Sequence, residues 1–175
     1  MDIPLTSKRL ALREFSLNDL DAYLQITQDS KYQRFYSKED CSPQKARELI
    51  SAFIDQAKES PRKKYQFAIE ELASHTFIGT CGLRLEEQKQ ASLGCGIARE
   101  YQTSGYALEA LSLLIKFGFE TLDLARIYAE TIEDNLAAVK LCKKAGMQVE
   151  ETLTNHRYFK GRWWNTLILA KNKKA

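Results

Sequence analysis

The stretch Gln102-Thr103-Ser104-Gly105-Tyr106-Ala107 lies between a strand-like run and a long amphipathic segment. A loop in that setting aims backbone N–H groups, and the positive end of the following helix, at an anion. Pyrophosphate is a natural occupant. Gly105 has no Cβ, so the chain can come close to a phosphate there. The bare pattern QxxGxA is weakly specific, arising by chance in about one chain in thirty of this length. The plain alternative is a helix start capped by Ser104.

Two further polar residues follow. Glu130 sits in a short strand-like run between Ala129 and Thr131, and Asn135 opens the next helical segment. A partly desolvated carboxylate on a strand can act as a general base; a solvated strand residue is the plain alternative. Asn135 can donate its amide to a ligand carbonyl or simply cap the helix. No Ser or Cys stands in a nucleophile-elbow sequence such as GxSxG, and His156 lies in a strand-like run, which argues against a hydrolytic triad. Cys41, Cys81, Cys95 and Cys142 form no CxxC pair. With only His75 and His156 beside them no zinc spacing arises, so no metal is expected. The cysteines read as reduced core residues of a cytoplasmic protein.

The elements that must position these residues follow from periodicity. Residues 9–15 alternate as a first strand, and Ser16 can cap a helix over 17–28. Residues 29–41 read as a loop. Ser42-Pro43 is an N-cap with proline at the first helical position, opening a helix to about 58. Strand-like runs cover 65–70, 76–85 and 91–98, with Gly94 and Gly96 suggesting a bulge or a close backbone approach. Ser104 or Gly105 opens a long helix through Leu122. A short strand spans 127–132, and Asp134 or Asn135 caps a helix that stops at Gly146. Strands at about 148–159 and 163–170 are joined by Lys160-Gly161-Arg162, which suits a hairpin turn. The order predicts an α/β (α+β) domain with one central sheet.

Composition bounds the rest. The chain has 175 residues, suited to a single domain over 1–175 that needs neither disulfides nor metal to fold. Its net charge of +3 is too mild for a nucleic-acid partner. No apolar run is long enough to span a membrane. The amino terminus lacks a basic segment followed by an apolar stretch, so no secretory signal is expected. Trp163 and Trp164 are adjacent, so on a strand they face opposite sides and one is expected to be exposed or in an interface.

The order strand, QxxGxA loop, long helix, strand, asparagine, helix ending in Ala-Gly resembles the GNAT superfamily of acetyl-CoA-dependent N-acetyltransferases. The likeness covers nearly the whole chain. TSKRLALREFSLNDLDAY is similar to the start of the ribosomal-protein N-terminal acetyltransferase branch. So is the stretch from IGTCGLRL through LGCGIAREYQTSGYALEALSLLIKFGFE, and RIYAETIEDNLAAVKLCKKAGM and YFKGRWWNTLILA resemble its later elements. The resemblance implies a mixed sheet of about seven strands flanked by four helices, and acetyl-CoA as co-substrate with no metal. It implies that Thr103, Ser104, Gly105, Tyr106, Ala107 and Leu108 wrap the pyrophosphate, with Gln102 opening that loop. The main chain near Ile97 would pair with the pantetheine arm and polarise the thioester. Asn135 matches the cofactor-contacting asparagine, and Glu130 the general base of the ribosomal-protein-alanine branch.

Two positions depart from the family pattern. Thr103 and Ser104 replace a glycine and a basic residue, and Cys142 stands where many members carry a tyrosine as general acid. Cys142 is not assigned a catalytic role. The acceptor implied is a protein N-terminal amine, such as that of a ribosomal protein. The alternatives are a small amine (amino acid, polyamine or aminoglycoside), or a sensor that binds acetyl-CoA without turnover. The protein is expected to be a monomer or homodimer, with the last hairpin as the contact.

Overall fold

In the computed structural model, which describes residues 5–174, the alternating runs become strands of one sheet. They are β1 (Leu5–Thr6), β2 (Leu10–Arg13), β3 (Lys64–Glu71), β4 (Thr76–Glu86), β5 (Gln90–Ile97), β6 (Arg126–Ile132), β7 (Gln148–Phe159) and β8 (Arg162–Asn172). The α-helices among the described residues are α1 (Leu20–Thr27), α2 (Pro43–Gln56), α3 (Tyr106–Glu120) and α4 (Leu136–Lys144). The sheet order is β1-β2-β3-β4-β5-β6-β8-β7. Every neighbouring pair is antiparallel except β5 and β6. The mixed α/β class is as expected. The eighth strand is β1, whose two residues are too few to show an alternation.

The sheet is covered on both faces. On one, α3 buries Ala110, Leu111, Leu114 and Ile115 against Leu12, Ile69, Leu83 and Ile127, and α4 adds Cys142 to the same core. Gly118 lets α3 approach closely, since a Cβ there would lie 2.6 Å from Ile127 Cδ1. On the other face Tyr23 of α1 and Ala46, Ile50 and Phe53 of α2 pack with Phe15 and Ala68. Phe67 and Ile69 belong to the first core and Ala68 to the second, as strand alternation requires.

Several local details differ from expectation. Residues 17–19 form a 3₁₀ turn before α1, because the Asp19 carboxylate turns back to accept the Ser16 N–H at 2.8 Å. Gly94 and Gly96 keep a regular register with β4; the irregularity falls instead between Ile69 and Glu70 of β3. Ser42 does cap α2, its Oγ accepting from Lys45 N at 3.1 Å. The final hairpin turns through Lys160 and Gly161, both at positive φ (51° and 75°), the conformation a two-residue turn demands.

Arg13 ties the helical face to the sheet. Its guanidinium donates to Asp19 Oδ1 and Oδ2 at 2.8 and 2.9 Å and to Glu70 Oε2 at 2.5 Å. Burial alone would raise the Asp19 carboxyl, but Arg13 and the Ser16 N–H outweigh it and hold it below its ordinary value. Arg13, then His75, lower Glu70 likewise. Both carboxylates therefore contribute stability above their unfolded values near pH 4, and that contribution is lost as pH falls through the folded values. Removing one partner of a buried pair costs about 3–5 kcal/mol. Arg13 is about a third exposed, so Arg13→Ala is expected to cost less, about 2 kcal/mol at pH 7. Urea unfolding at pH 7 and pH 3 checks this: the variant should lose less stability on acidification than the wild type.

Candidate active site

The sheet parts in its middle. β5 and β6, the one parallel pair, are joined only at Gln90–Ser92 with Arg126–Tyr128. Beyond Ser92 the strands diverge while β5 stays paired to β4 through Ile97. Ala98 N donates to Ile78 O at 2.8 Å, so that position is a hydrogen-bonded one. By the antiparallel alternation, the main-chain groups of Leu93, Cys95 and Ile97 turn away from β4 and into the gap. Backbone polar groups there are open to an extended ligand that runs between the strands.

The loop after β5 closes one end of the gap. Gln102 reaches back, and its Nε2 donates to Ile97 O at 3.1 Å, pinning the loop to the strand end. Thr103 and Ser104 are exposed. The helix cap is Gly105 at φ +80°, a left-handed conformation; no side chain caps α3, so Ser104 is not the cap. The first intrahelical bond runs from Glu109 N to Gly105 O at 3.1 Å. The N–H groups of Tyr106, Ala107 and Leu108 thus have no partner within the helix and face outward at its positive end. This set of donors beside a residue without a Cβ suits a pyrophosphate.

The two faces of β6 differ in what they meet. Ile127 and Ala129 of β6 lie in the core under α3, so Glu130 faces the other way. Its carboxylate is ion-paired with Arg157 of β7, Oε2 to Nη2 3.0 Å. On that second face a Cβ at Gly96 would meet the ring of Tyr32 at 3.5 Å, and Tyr32 stacks on Tyr36 at 4.9 Å between centroids. Burial pushes the Tyr32 phenol up, so it stays protonated at neutral pH. Segment 29–41 meets the last hairpin here. Lys160 Nζ donates to Gln33 O, and Phe35 packs edge-on to Trp164 at 6.0 Å. A cavity of about 450 Å³ lies between them, lined by Gln28, Gln33, Ser37, Lys38, Cys41 and Lys160 among others.

Asn135 caps α4, its Oδ1 accepting from Ala138 N at 3.3 Å. That commits the oxygen and leaves the –NH₂ arm to other partners. Cys142 is buried in the α3 core, and burial raises its thiol. Burial and then the neighbouring Cys142 push Cys95 up to about 12. Trp163 is 55% exposed and Trp164 buried, as adjacency on a strand predicts. Sequence reasoning missed Arg157 opposite Glu130, and Arg9, whose guanidinium lies against the loop with Nη1 2.9 Å from Ser104 O. Neither carries a local signal, since each meets its partner only through tertiary pairing.

A family model of the acetyltransferase (GNAT) domain matches residues 9–148. The chain is 31% identical to an uncharacterized N-acetyltransferase of Bacillus licheniformis, over 90% of this chain and 89% of that one. Its fold is similar to that of a putative ribosomal-protein-serine acetyltransferase from Vibrio cholerae (TM-score 0.81, 24% identity, 98% of each chain). It is similar also to a spermidine N-acetyltransferase from Vibrio cholerae in complex with CoA and spermine (TM-score 0.80, 21% identity, 95% and 96% of the chains). At these identities the two structures speak to fold alone.

Gly105→Asp places a carboxylate among the donors at the start of α3 and a side chain at φ +80°. Acetyl-CoA binding should weaken at least tenfold, about the effect of one unscreened like charge at close range. Calorimetry checks it, and unchanged affinity would remove the loop from the site.

Proposed function

The chain belongs to the GNAT family of acetyltransferases and is an acetyl-CoA-dependent N-acetyltransferase; we propose that its acceptor is the N-terminal amine of a protein or peptide, attacked directly with Glu130 as base. The observation that carries this reading is the parting of β5 from β6, which leaves main-chain groups of β5 unpaired between the strands. On the α3 face the free N–H groups of residues 106–108 would take the pyrophosphate, with Gln102, Thr103, Ser104 and Gly105 shaping the loop and Asn135 reaching from α4. The pantetheine arm would pair with the inward main chain of β5. The acceptor would enter from the face of Tyr32 and Glu130.

An amine of pKa about 8 to 10 is mostly protonated at pH 7 and must lose a proton before it can attack. Glu130 accepts that proton, directly or through a water. The neutral nitrogen adds to the thioester carbonyl, and the Ile97 N–H, turned into the gap, steadies the oxyanion. The nitrogen in the adduct still carries one proton too many; as the C–S bond breaks that proton passes through solvent to the thiolate, which leaves as the thiol. Cys142, buried and raised, is given no part.

The charges near Glu130 favour a peptide over a polyamine. Glu130 is paired with Arg157, Glu133 with Asn165 (2.9 Å) and Asp134 with Arg162 (3.0 Å). A polycation gains most from uncompensated carboxylates along its length; Glu130 and Asp134 already face guanidinium groups, and of the three only Glu133 keeps its charge unanswered. The protein is read as cytoplasmic, a monomer or a homodimer through the hairpin that exposes Trp163.

An acceptor panel read by thiol release tests this. Peptides with free N-termini should turn over faster than spermidine; the reverse order would overturn the acceptor assignment, and binding without turnover of any amine would make the protein a sensor. Glu130→Gln should keep acetyl-CoA affinity while kcat at pH 7 falls about 10²–10⁴-fold. Part of the loss should return at high pH, where more amine is neutral. Wild-type turnover across the pH range would exclude Glu130 as the base.

A further inference from the structure

We propose that Arg9 is the positioning residue of the pyrophosphate loop, and that its pairing with Glu109 supplies from the edge of β2 the charge balance and order that Thr103 and Ser104 do not. The proposal rests on the acetyl-CoA reading above and concerns which residues make the phosphate subsite work.

Glu109 is the fourth residue of α3, within the turn whose N–H groups face outward. A free carboxylate there would occupy the favourable field of the helix end and repel an incoming phosphate. It is instead held by four donors from the β1–β2 turn. Ser7 Oγ lies 2.7 Å and Arg9 N 3.0 Å from Oε1, and Arg9 Nε and Nη2 lie 2.7 and 2.6 Å from Oε2. The charge of Glu109 is thereby answered by a guanidinium rather than by a ligand.

The same guanidinium reaches the loop. Nη1 donates to Ser104 O at 2.9 Å, and Nη2 lies 3.5 Å from where a Cβ on Gly105 would stand. Cζ sits 4.2 Å above the ring of Tyr106, whose hydroxyl donates to Glu71 of β3. Binding the Ser104 carbonyl fixes the peptide plane ahead of Gly105, so the N–H groups after it keep one aim. Arg9 thus binds helix, loop carbonyl and aromatic face at once, which a planar fork can do and an ammonium cannot.

The test compares two acyl donors on the full-length protein. Acetyl-CoA carries the phosphates; S-acetylpantetheine carries the reacting arm without them. Arg9→Ala should raise the Kd and KM for acetyl-CoA at least tenfold with kcat changed less than threefold. Its kcat/KM for S-acetylpantetheine should stay within twofold of wild type. Arg9→Lys should recover only part of the loss. The double variant Arg9→Ala/Glu109→Gln should bind acetyl-CoA more tightly than Arg9→Ala, because the stranded anion is gone. An equal loss with both donors would reduce Arg9 to general scaffolding and overturn the proposal, as would an unchanged Kd for acetyl-CoA. Should Arg9→Ala not fold, Arg9→Lys carries the same two-donor comparison. A wild-type protein that used neither donor would overturn the acetyl-CoA reading along with this one, whereas wild-type use of both with an indifferent Arg9→Ala overturns this one alone.

Discussion

A β-strand cannot leave its neighbour without stranding main-chain groups, and that constraint organises the middle of this molecule. β5 keeps β4 along its length but β6 for only three residues. The alternation of the β4–β5 ladder then decides which residues present N–H and C=O to the opening: Leu93, Cys95 and Ile97. Part of the deficit is met internally, since Gln102 takes the carbonyl of Ile97. What is left is directional and partly sheltered, a better basis for ligand recognition than an exposed edge strand. The helices, the loop and the last hairpin are arranged about that opening.

Holding such an opening in one shape requires ties from distant parts of the chain. Arg13 links β2, the turn before α1 and β3, with Asp19 almost wholly buried beneath it. Lys160 at the hairpin tip grips the carbonyl of Gln33. Gly118 lets α3 lie close against β6. The ties are partly exposed, so each is individually modest and the shape depends on several together.

Much of this was legible in the residues. Alternation placed seven of the eight strands, the apolar stripes placed the four helices, and Ser42-Pro43 marked the start of α2. β1 was invisible because two residues carry no period. The cap of α3 was ambiguous because a serine hydroxyl and a left-handed glycine are rival solutions to one problem, and only the backbone shows that Gly105 was used. The partner of Glu130 was beyond reach for a subtler reason. A regular ladder continued from Leu153–Thr166 would set Asn155 opposite Trp164. The register shifts, with Asn155 at φ 49°, and Arg157 stands there instead. Asparagine tolerates that conformation, so the slip is local and leaves no trace in hydrophobic pattern. The brace of Arg9 on Glu109 joins residues 100 positions apart and has no periodicity at all.

The parting of β5 from β6 has a kinetic consequence. With the cofactor entering from the α3 face and the acceptor from the face of Tyr32 and Glu130, as proposed, neither occupant must depart before the other arrives. On the proposed reading both reactants stand in the protein together, and the acyl group never rests on a side chain. Initial rates measured against both substrates would then give intersecting reciprocal lines rather than the parallel ones of a double-displacement cycle. A dead-end analogue of one reactant would leave the doorway of the other unobstructed.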